Sequence, residues 1–419
     1  MKKKNLILFT LIIAIIILAI TGVVAYSFEL QNKKDVKENS VPEKDINENS
    51  VPDVDETIPG NTDNTDEADN NIPITPEADK KNEETQPGNA STNGSPDESS
   101  INTPIVLAFA GDINFNEGSR PMAKYDSEAK GILGGISPEL IEEMENADIM
   151  MLNNEFTYSL RGKKVPDKQY HFRANPKRVN ILKEMGVDIV SLANNHTLDY
   201  GMDAFLDTLE TLEGAEIDYV GAGINMERAK APIYYTFGDT KVAYLAASRV
   251  VFAMDWYATE TRPGMIGTYD PTLILTSVEE AKANSDFVVI YLHWGKEKEH
   301  YPLEYQKDLA KKYIDAGADA VIGCHPHVMQ GLEFYKGKPI AYSLGNYWFN
   351  GVKRETGLLK LYLNPDDTVQ VQLLPAMGEN TYTYLIQEEA KRKDYYKFME
   401  EISFNVEFDE NGYATEKTR

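Results

Sequence analysis

Four of the six histidines in this 419-residue chain stand at the ends of short apolar runs that read as buried strands: His196, His293, His325 and His327. They share those positions with carboxylates and amides. The strand ends read Gly111-Asp112-Ile113-Asn114, Asn153-Asn154-Glu155, Ala193-Asn194-Asn195-His196, His293-Trp294-Gly295-Lys296-Glu297 and Gly323-Cys324-His325-Pro326-His327. Imidazole, carboxylate and amide together are a ligand set for a divalent transition ion, with a carboxylate available to bridge if there are two. Taken singly, each has a plainer account. Asp112 caps a turn, Glu155 is a solvated charge, the Asn-Asn-His run opens a helix, and His293 is a satisfied core histidine. Five such groups in strand-end register are what point to one site. The pair His325 and His327 is the most specific, because an i, i+2 pair in extended backbone directs both rings to one side. No glycine-rich phosphate loop or nucleophile elbow competes.

The elements that must hold these groups follow from periodicity. Apolar runs at 105–110, 149–152, 189–192, 242–246, 287–292 and 320–322 read as buried strands, and amphipathic stretches at 138–146, 179–185, 202–212 and 303–316 read as helices. This alternation predicts an α/β fold, in which ligands gather beyond the carboxyl ends of the strands. From Pro339 the pattern changes. Residues 341–343, 358–363 and 369–374 read as antiparallel strands finishing a mixed sheet, with Asn346 at the same edge. The globular unit is expected over residues 104–375, with residues 376–419 a peripheral C-terminal extension.

What precedes that unit differs in kind. Lys2, Lys3 and Lys4 stand before an uncharged run, residues 6–26, long enough as a helix to cross a bilayer core of about 30 Å. Residues 1–30 are therefore expected to be a transmembrane signal-anchor with a cytoplasmic N-terminus. The competing account is a cleaved signal peptide, with Val23 and Ala25 as its small residues, but the apolar run is longer than such a segment needs. Residues 31–103 are rich in Asn, Asp, Glu, Pro, Thr and Ser and nearly free of aromatics, the composition of a disordered acidic linker.

The net charge of −25, from 67 acidic against 42 basic residues, argues against nonspecific binding of nucleic acid. A lone cysteine, Cys324, excludes an intramolecular disulfide framework and four-cysteine metal sites. One segment runs against the acidic average. Residues 161–178 carry seven Lys/Arg against Asp167 alone, so a polyanion could bind there, with Arg173 a candidate contact.

The ordered blocks AFAGDIN, LNNEF, SLANNHTLDYG, GAGINMERAKAP, LHWGKEKEHYP and GADAVIGCHPHVMQGLEFYKGKPIAYSLGNYWF resemble those of the capsule-biosynthesis CapA/PgsA family, associated with bacterial poly-γ-glutamate. The resemblance implies a calcineurin-like metallophosphoesterase fold, a four-layer α/β/β/α sandwich with its site at one edge. It implies one or two divalent ions (Mn, Fe or Zn) on Asp112, Glu155, Asn195, His293, His325 and His327, with Glu155 as the bridge. It casts His196 as the acid that protonates a leaving oxygen and Asp199 as the group that orients and charges it. Asn114, Asn194, Glu297, Arg173 and Asn346 are candidates for substrate contact. Two departures stand out: the family's usual Asp-x-His start is here Asp112-Ile113-Asn114, and Cys324 occupies a position often held by histidine.

The function implied is that of a membrane-anchored, extracytoplasmic protein serving synthesis, export or anchoring of poly-γ-glutamate or a similar anionic polymer. Its expected partners are the membrane, that polymer and membrane-bound synthase or ligase subunits, and no nucleic acid. Two alternatives stay open: a noncatalytic polymer-binding or scaffold subunit, and a surface metallophosphoesterase unrelated to capsule.

Overall fold

The computed structural model describes residues 103–127 and 131–417. The expected anchor and the linker up to residue 102 lie outside them. No helix among the described residues is long and apolar enough to cross a membrane.

Four parallel strands open the fold: β1 (Ile105–Ile113), β2 (Ile149–Asn154), β3 (Ile189–Ser191) and β4 (Asp218–Val220). Helices α1 (Arg120–Ser127), α2 (Pro138–Glu145), α3 (Val179–Glu184) and α4 (Met202–Gly214) lie on the connections between them. Local chemistry starts α2 sharply. The Ser137 side chain accepts from the Leu140 N–H and Pro138 fills the first turn, where a missing N–H costs nothing. After the short helix α5 (Met226–Lys230), a second sheet is built from β5 (Ile233–Phe237), β6 (Thr240–Ser248), β7 (Phe287–His293), β8 (Ala320–Cys324), β9 (Met329–Tyr335) and β10 (Lys338–Leu344). Its spatial order is β9-β10-β8-β7-β6-β5, with helices α6 (Thr272–Ala283) and α7 (Glu304–Asp315) on its connections.

The chain then returns to the first sheet with β11 (Asn346–Trp348), β12 (Arg354–Leu363), β13 (Val369–Glu379) and β14 (Tyr382–Leu385). Helix α8 (Glu389–Ile402) leads to the last two strands, β15 (Val406–Phe408) and β16 (Tyr413–Glu416). This larger sheet has ten strands, mixed in direction: β12 runs antiparallel to β1 and β13 antiparallel to β12.

Alternation along the strands explains why both faces are apolar. Phe109 of β1, Met151 of β2 and Val289 and Tyr291 of β7 point into one core shared by the two sheets. Their neighbours Ala108, Met150 and Leu152 pack instead with Leu140, Leu182 and Phe205 of α2, α3 and α4, and Ile290 and Leu292 pack with Ile274, Val278 and Leu309 of α6 and α7. The layering is thus helices, sheet, sheet, helices. Residues 376–417, expected at the periphery, form the margin of the larger sheet, and α8 gives Tyr395, Tyr396, Met399 and Ile402 to the inter-sheet core. Each such side chain contributes about 1.5–3 kcal/mol by leaving water.

One close approach sets the edge where the site lies. A Cβ on Gly111 would stand 1.9 Å from the carbonyl oxygen of Gly345, so only glycine lets β1 meet the turn after β10. The next residue, Asp112, donates its N–H to that same carbonyl at 2.9 Å, which fixes the end of β1.

Candidate metal centre

The strand ends converge. Asp112, Glu155 and His293 are completely buried, and His325 and His196 are each 5% exposed. Glu155 lies centrally: its Oε1 is 3.8 Å from His196 Nε2, 3.9 Å from His293 Nε2 and 4.0 Å from His327 Nε2. Neither Glu155 oxygen has a hydrogen-bond partner among the described residues, and neither does His325 Nδ1. Buried carboxylate oxygens without donors are costly, since burial removes water without replacing it. A cation would supply what is missing. The ligand atoms of Glu155, His293 and His325 lie within 4.8 Å of one another, as do those of Asp112, Glu155 and His327, so two candidate cation positions share Glu155. The donor set and the unpartnered atoms both fit a divalent ion.

Amides hold this cluster in place. Asn153 Nδ2 donates to Asp112 Oδ1 at 2.8 Å and lies 3.3 Å from His293 Nδ1, while its Oδ1 accepts from Asn194 Nδ2 at 3.1 Å. Asn194 also donates to the Asn154 carbonyl and accepts from the His196 N–H. His293 Nε2 lies 2.9 Å from Asn195 Oδ1, which brings these two candidate ligands together on the side of Glu155. His327 Nδ1 donates to Asn346 Oδ1 at 2.7 Å. Asn194 and Asn346, candidates for substrate contact, are thus engaged in orienting the cluster. Asn114 Oδ1 accepts from the Asn116 N–H in a local turn. Glu297 is exposed, and its charge acts on Glu155 and His327.

Three further observations bear on the sequence reading. His325 and His327 have φ of 97° and 57°, so their rings reach one cluster through left-handed backbone on either side of Pro326, and not through the extended backbone expected from their spacing. Such conformations store strain in non-glycine residues and gather at functional sites. Cys324 is buried with its Sγ 3.3 Å from His293 Nδ1; burial, then Asp112 and Glu155, push its thiol pKa well up, so it stays protonated. The basic segment spends much of its charge locally. Arg161 pairs with Asp207, Arg178 with Glu117 and Asp126, and the Arg173 guanidinium lies 4.1 Å from the Tyr200 ring centroid and donates to the Arg161 carbonyl.

Lys168, from that segment, reaches the centre without having been singled out. Its Nζ pairs with Asp199 and donates to the Asn195 carbonyl at 2.6 Å, and it stands 3.0 Å from His196 Nδ1. His196 Nδ1 donates to Asp199 Oδ2 at 2.6 Å, and Phe172 lies against its ring at 4.2 Å between centroids. Burial, then the Lys168 ammonium, bring His196 down to about 4 against the pull of Asp199. His327 goes the other way. Burial opposes its charge, but Glu155 and Asp112 push it up to about 10.

The contrast makes a prediction. His327 is pushed up to about 10, and burial and Asp112 push the Glu155 carboxyl well up, so this pair must give up at least one proton to bind a cation; metal affinity should rise at least about tenfold per pH unit between pH 6 and 8, with proton release on binding. Titration calorimetry of Mn²⁺ in buffers of different ionisation enthalpy measures both; affinity flat across that range would place the cation away from His327.

Two facing sheets with a buried cluster of imidazoles, carboxylates and amides at their strand ends define a class: α/β proteins with a candidate metal centre on one sheet edge. Residues 106–351 match the family described as "Bacterial capsule synthesis protein PGA_cap", and the chain belongs to that family. It is 33% identical over 285 residues to the "Capsule biosynthesis protein CapA" of Bacillus anthracis, covering 65% of this chain and 67% of the relative. It is 34% identical over 226 residues to the "PGA biosynthesis protein CapA" of Bacillus subtilis, covering 53% and 59%. The chain thus spans less than two thirds of the second relative's length. Among solved structures, a "novel phosphatase" of Mycoplasma pneumoniae matches 67% of this chain and 95% of its own, at 11% identity and a TM-score of 0.43.

Proposed function

We propose that this protein serves the synthesis, export or anchoring of poly-γ-glutamate or a similar anionic surface polymer. In this reading it is held outside the cytoplasmic membrane by residues 1–30, works with membrane-bound synthase or ligase subunits, and has a hydrolase-like site on a calcineurin-like sandwich. The family and the two Bacillus relatives named for capsule and PGA biosynthesis support the polymer. One observation carries the chemistry: a fully buried glutamate with no hydrogen-bond partner among the described residues, within 4.0 Å of three imidazoles.

Asp112, Glu155, Asn195, His293, His325 and His327 would hold the cation or cations. When bound, a divalent ion supplies Lewis acidity that polarises a scissile carbonyl or phosphoryl bond. The rest falls to the chain itself. His196 is neutral near pH 7, with Nδ1–H fixed on Asp199 and Nε2 turned toward Glu155. It is therefore set to accept a proton at Nε2 first and to return it to a leaving oxygen afterwards. Lys168 and the Phe172 N–H both hold Asp199, so the imidazole keeps one orientation.

The test is surface polymer in cells whose only copy of this chain carries Glu155→Gln, with protein level and metal content measured in parallel. At least tenfold less surface-attached polymer at normal protein level is expected. Unchanged polymer would overturn the hydrolase-like reading and leave a noncatalytic polymer-binding subunit.

A further inference from the structure

At the start of β12, Arg354 reaches back toward the candidate centre, where its Nη1 donates to the His327 carbonyl at 3.0 Å. His327 itself has Nδ1 2.7 Å from Asn346 Oδ1 and Nε2 4.0 Å from Glu155 Oε1, so one residue links the guanidinium to the middle of the cluster. A guanidinium offers five N–H donors and keeps its charge at any ordinary pH. That single bond to His327 is the one hydrogen bond of the Arg354 side chain among the described residues, and no acidic group forms an ion pair with it there. Sheet register shows why. Arg354 stands opposite Gly378 of β13, and the next pair on the same face is Thr356 with Ala376, so the cross-strand neighbours that could balance a charge carry none. Glu355 lies on the other face of the strand. Glu379 is held by Lys353 at 3.3 Å and by the Tyr384 hydroxyl at 3.4 Å.

The surroundings of this cation are a second observation. Asn346, Phe349 and Arg354 line one hollow at the edge of the centre, with Glu379 on the same lining. Asn346 is 8% exposed; its Oδ1 faces His327, while its Nδ2 donates to no group among the described residues. Phe349 is half-buried, with its ring 4.9 Å from that of His327 and 5.6 Å from that of Phe172. An apolar wall beside a charge focuses its field on whatever anion approaches. The plainer account is that Arg354 props the left-handed backbone at His327, where φ is 57°. One N–H is enough for that, and it leaves the rest of the fork and the Asn346 amide unexplained.

We propose that Arg354, with the Asn346 amide, is a carboxylate-recognition subsite on the open side of His327, which receives an acidic side group of the anionic chain and sets it beside the candidate metal centre. This rests on the polymer reading above. It answers a difficulty within that reading, because a protein of net charge −25 repels a polyanion unless a located cation receives it. Arg161, Lys168 and Arg178 of the basic segment are paired with acidic side chains; Arg354 is not. A planar fork also matches a carboxylate better than an ammonium does. Phosphate shares the oxyanion chemistry, so the experiment must separate the two.

Titration calorimetry on the full chain in detergent, with and without saturating Mn²⁺, would compare a γ-linked glutamate hexamer, the same hexamer with its free carboxylates amidated, and inorganic phosphate. The wild type is expected to bind the glutamate hexamer at least tenfold tighter than the amidated one, and to keep that preference without metal. Arg354→Met should weaken the glutamate hexamer by about 10- to 100-fold, the range for a charge-assisted hydrogen-bonded contact, and leave the amidated one unchanged. Arg354→Gln, which keeps an N–H for the His327 carbonyl and loses the charge, should fall as far. Metal content at saturation should match the wild type in both. A loss shared equally by the two hexamers would make Arg354 a prop for the turn at His327 and overturn the proposal. Equal affinity of the wild type for both hexamers overturns it too, a comparison that stands even if Arg354→Met fails to fold. Variants that bind like wild type overturn it as well. Arg354-dependent binding of phosphate with no measurable binding of the glutamate hexamer overturns the carboxylate assignment. A wild type that takes up no metal but prefers the glutamate hexamer through Arg354 would sink the hydrolase-like reading and support this subsite.

Discussion

The His325→Ala, His327→Ala double variant is expected to purify without bound metal, whereas the wild-type full chain, incubated with Mn, Fe or Zn and desalted, keeps at least one ion per chain. The expected loss of affinity exceeds a hundredfold, because two donors disappear at once and altering even the groups that merely support ligands commonly costs 10- to 100-fold. The two histidines fail in different ways. His325 Nδ1 has no hydrogen-bond partner among the described residues, so removing that ring breaks no such bond at Nδ1. His327 is the imidazole that faces both Asp112 and Glu155 and holds Asp112 ionised; without it Asp112 loses its charge partner, beside a Glu155 that burial and Asp112 already push well up. Removing one partner of a buried ion pair costs about 3–5 kcal/mol.

The single variant His325→Ala therefore separates folding from metal. Its melting temperature without added metal should stay near that of the wild type, while the gain on adding metal should shrink. For the wild type that gain is about 2.7 kcal/mol at a hundredfold excess over the dissociation constant. Elemental mass spectrometry and thermal melting of the three proteins decide the matter. A wild type without metal after that treatment, or a double variant that retains it, would remove the centre.

Much of this centre could be read from the sequence because strand ends are written twice, once in the apolar run and again in the polar residues that follow it. Residues 105–110 and 287–292 were legible as strands, and the structure extends them to Ile113 and His293, so Asp112 and His293 are strand residues themselves. Asn153 stood at a strand end without a role of its own, because an amide there is ordinarily a cap; its role depends on Asp112, Asn194 and His293, groups that only the folded sheets bring together. Lys168 escaped for another reason. A single cation carries no periodicity, and the contact that gives it its meaning, with Asp199, lies about 30 residues away.

Local signals were also missed. The hairpin of β9 and β10 turns at Lys336 and Gly337, both with positive φ, a two-residue loop whose Lys-Gly pair is a usable hairpin signal. Helix α6 was hidden because its buried face, Ile274, Ser277, Val278 and Ala281, mixes small and polar residues with apolar ones.

His196→Ala is expected to lower turnover of the polymer by about 10²- to 10⁴-fold while leaving metal content unchanged, the range for loss of a positioned proton-transfer group. The prediction depends on what stays behind. Without the imidazole, Asp199 still accepts from Lys168 and from the Phe172 N–H, so no charge is left buried and unpaired; what the fold loses is the packing of one ring on Phe172. That is why His196, and not Asp199, is the residue to change. An Asp199→Ala substitution would take the carboxylate from the nearly buried Lys168 ammonium beside His196 and confound chemistry with unfolding. Surface polymer and its chain length, measured in cells with His196→Ala as the only copy, give the readout, with metal content of the purified variant as the control. If polymer amount and length match the wild type at full metal occupancy, His196 moves no proton that matters, and the cleft works by holding carboxylates alone.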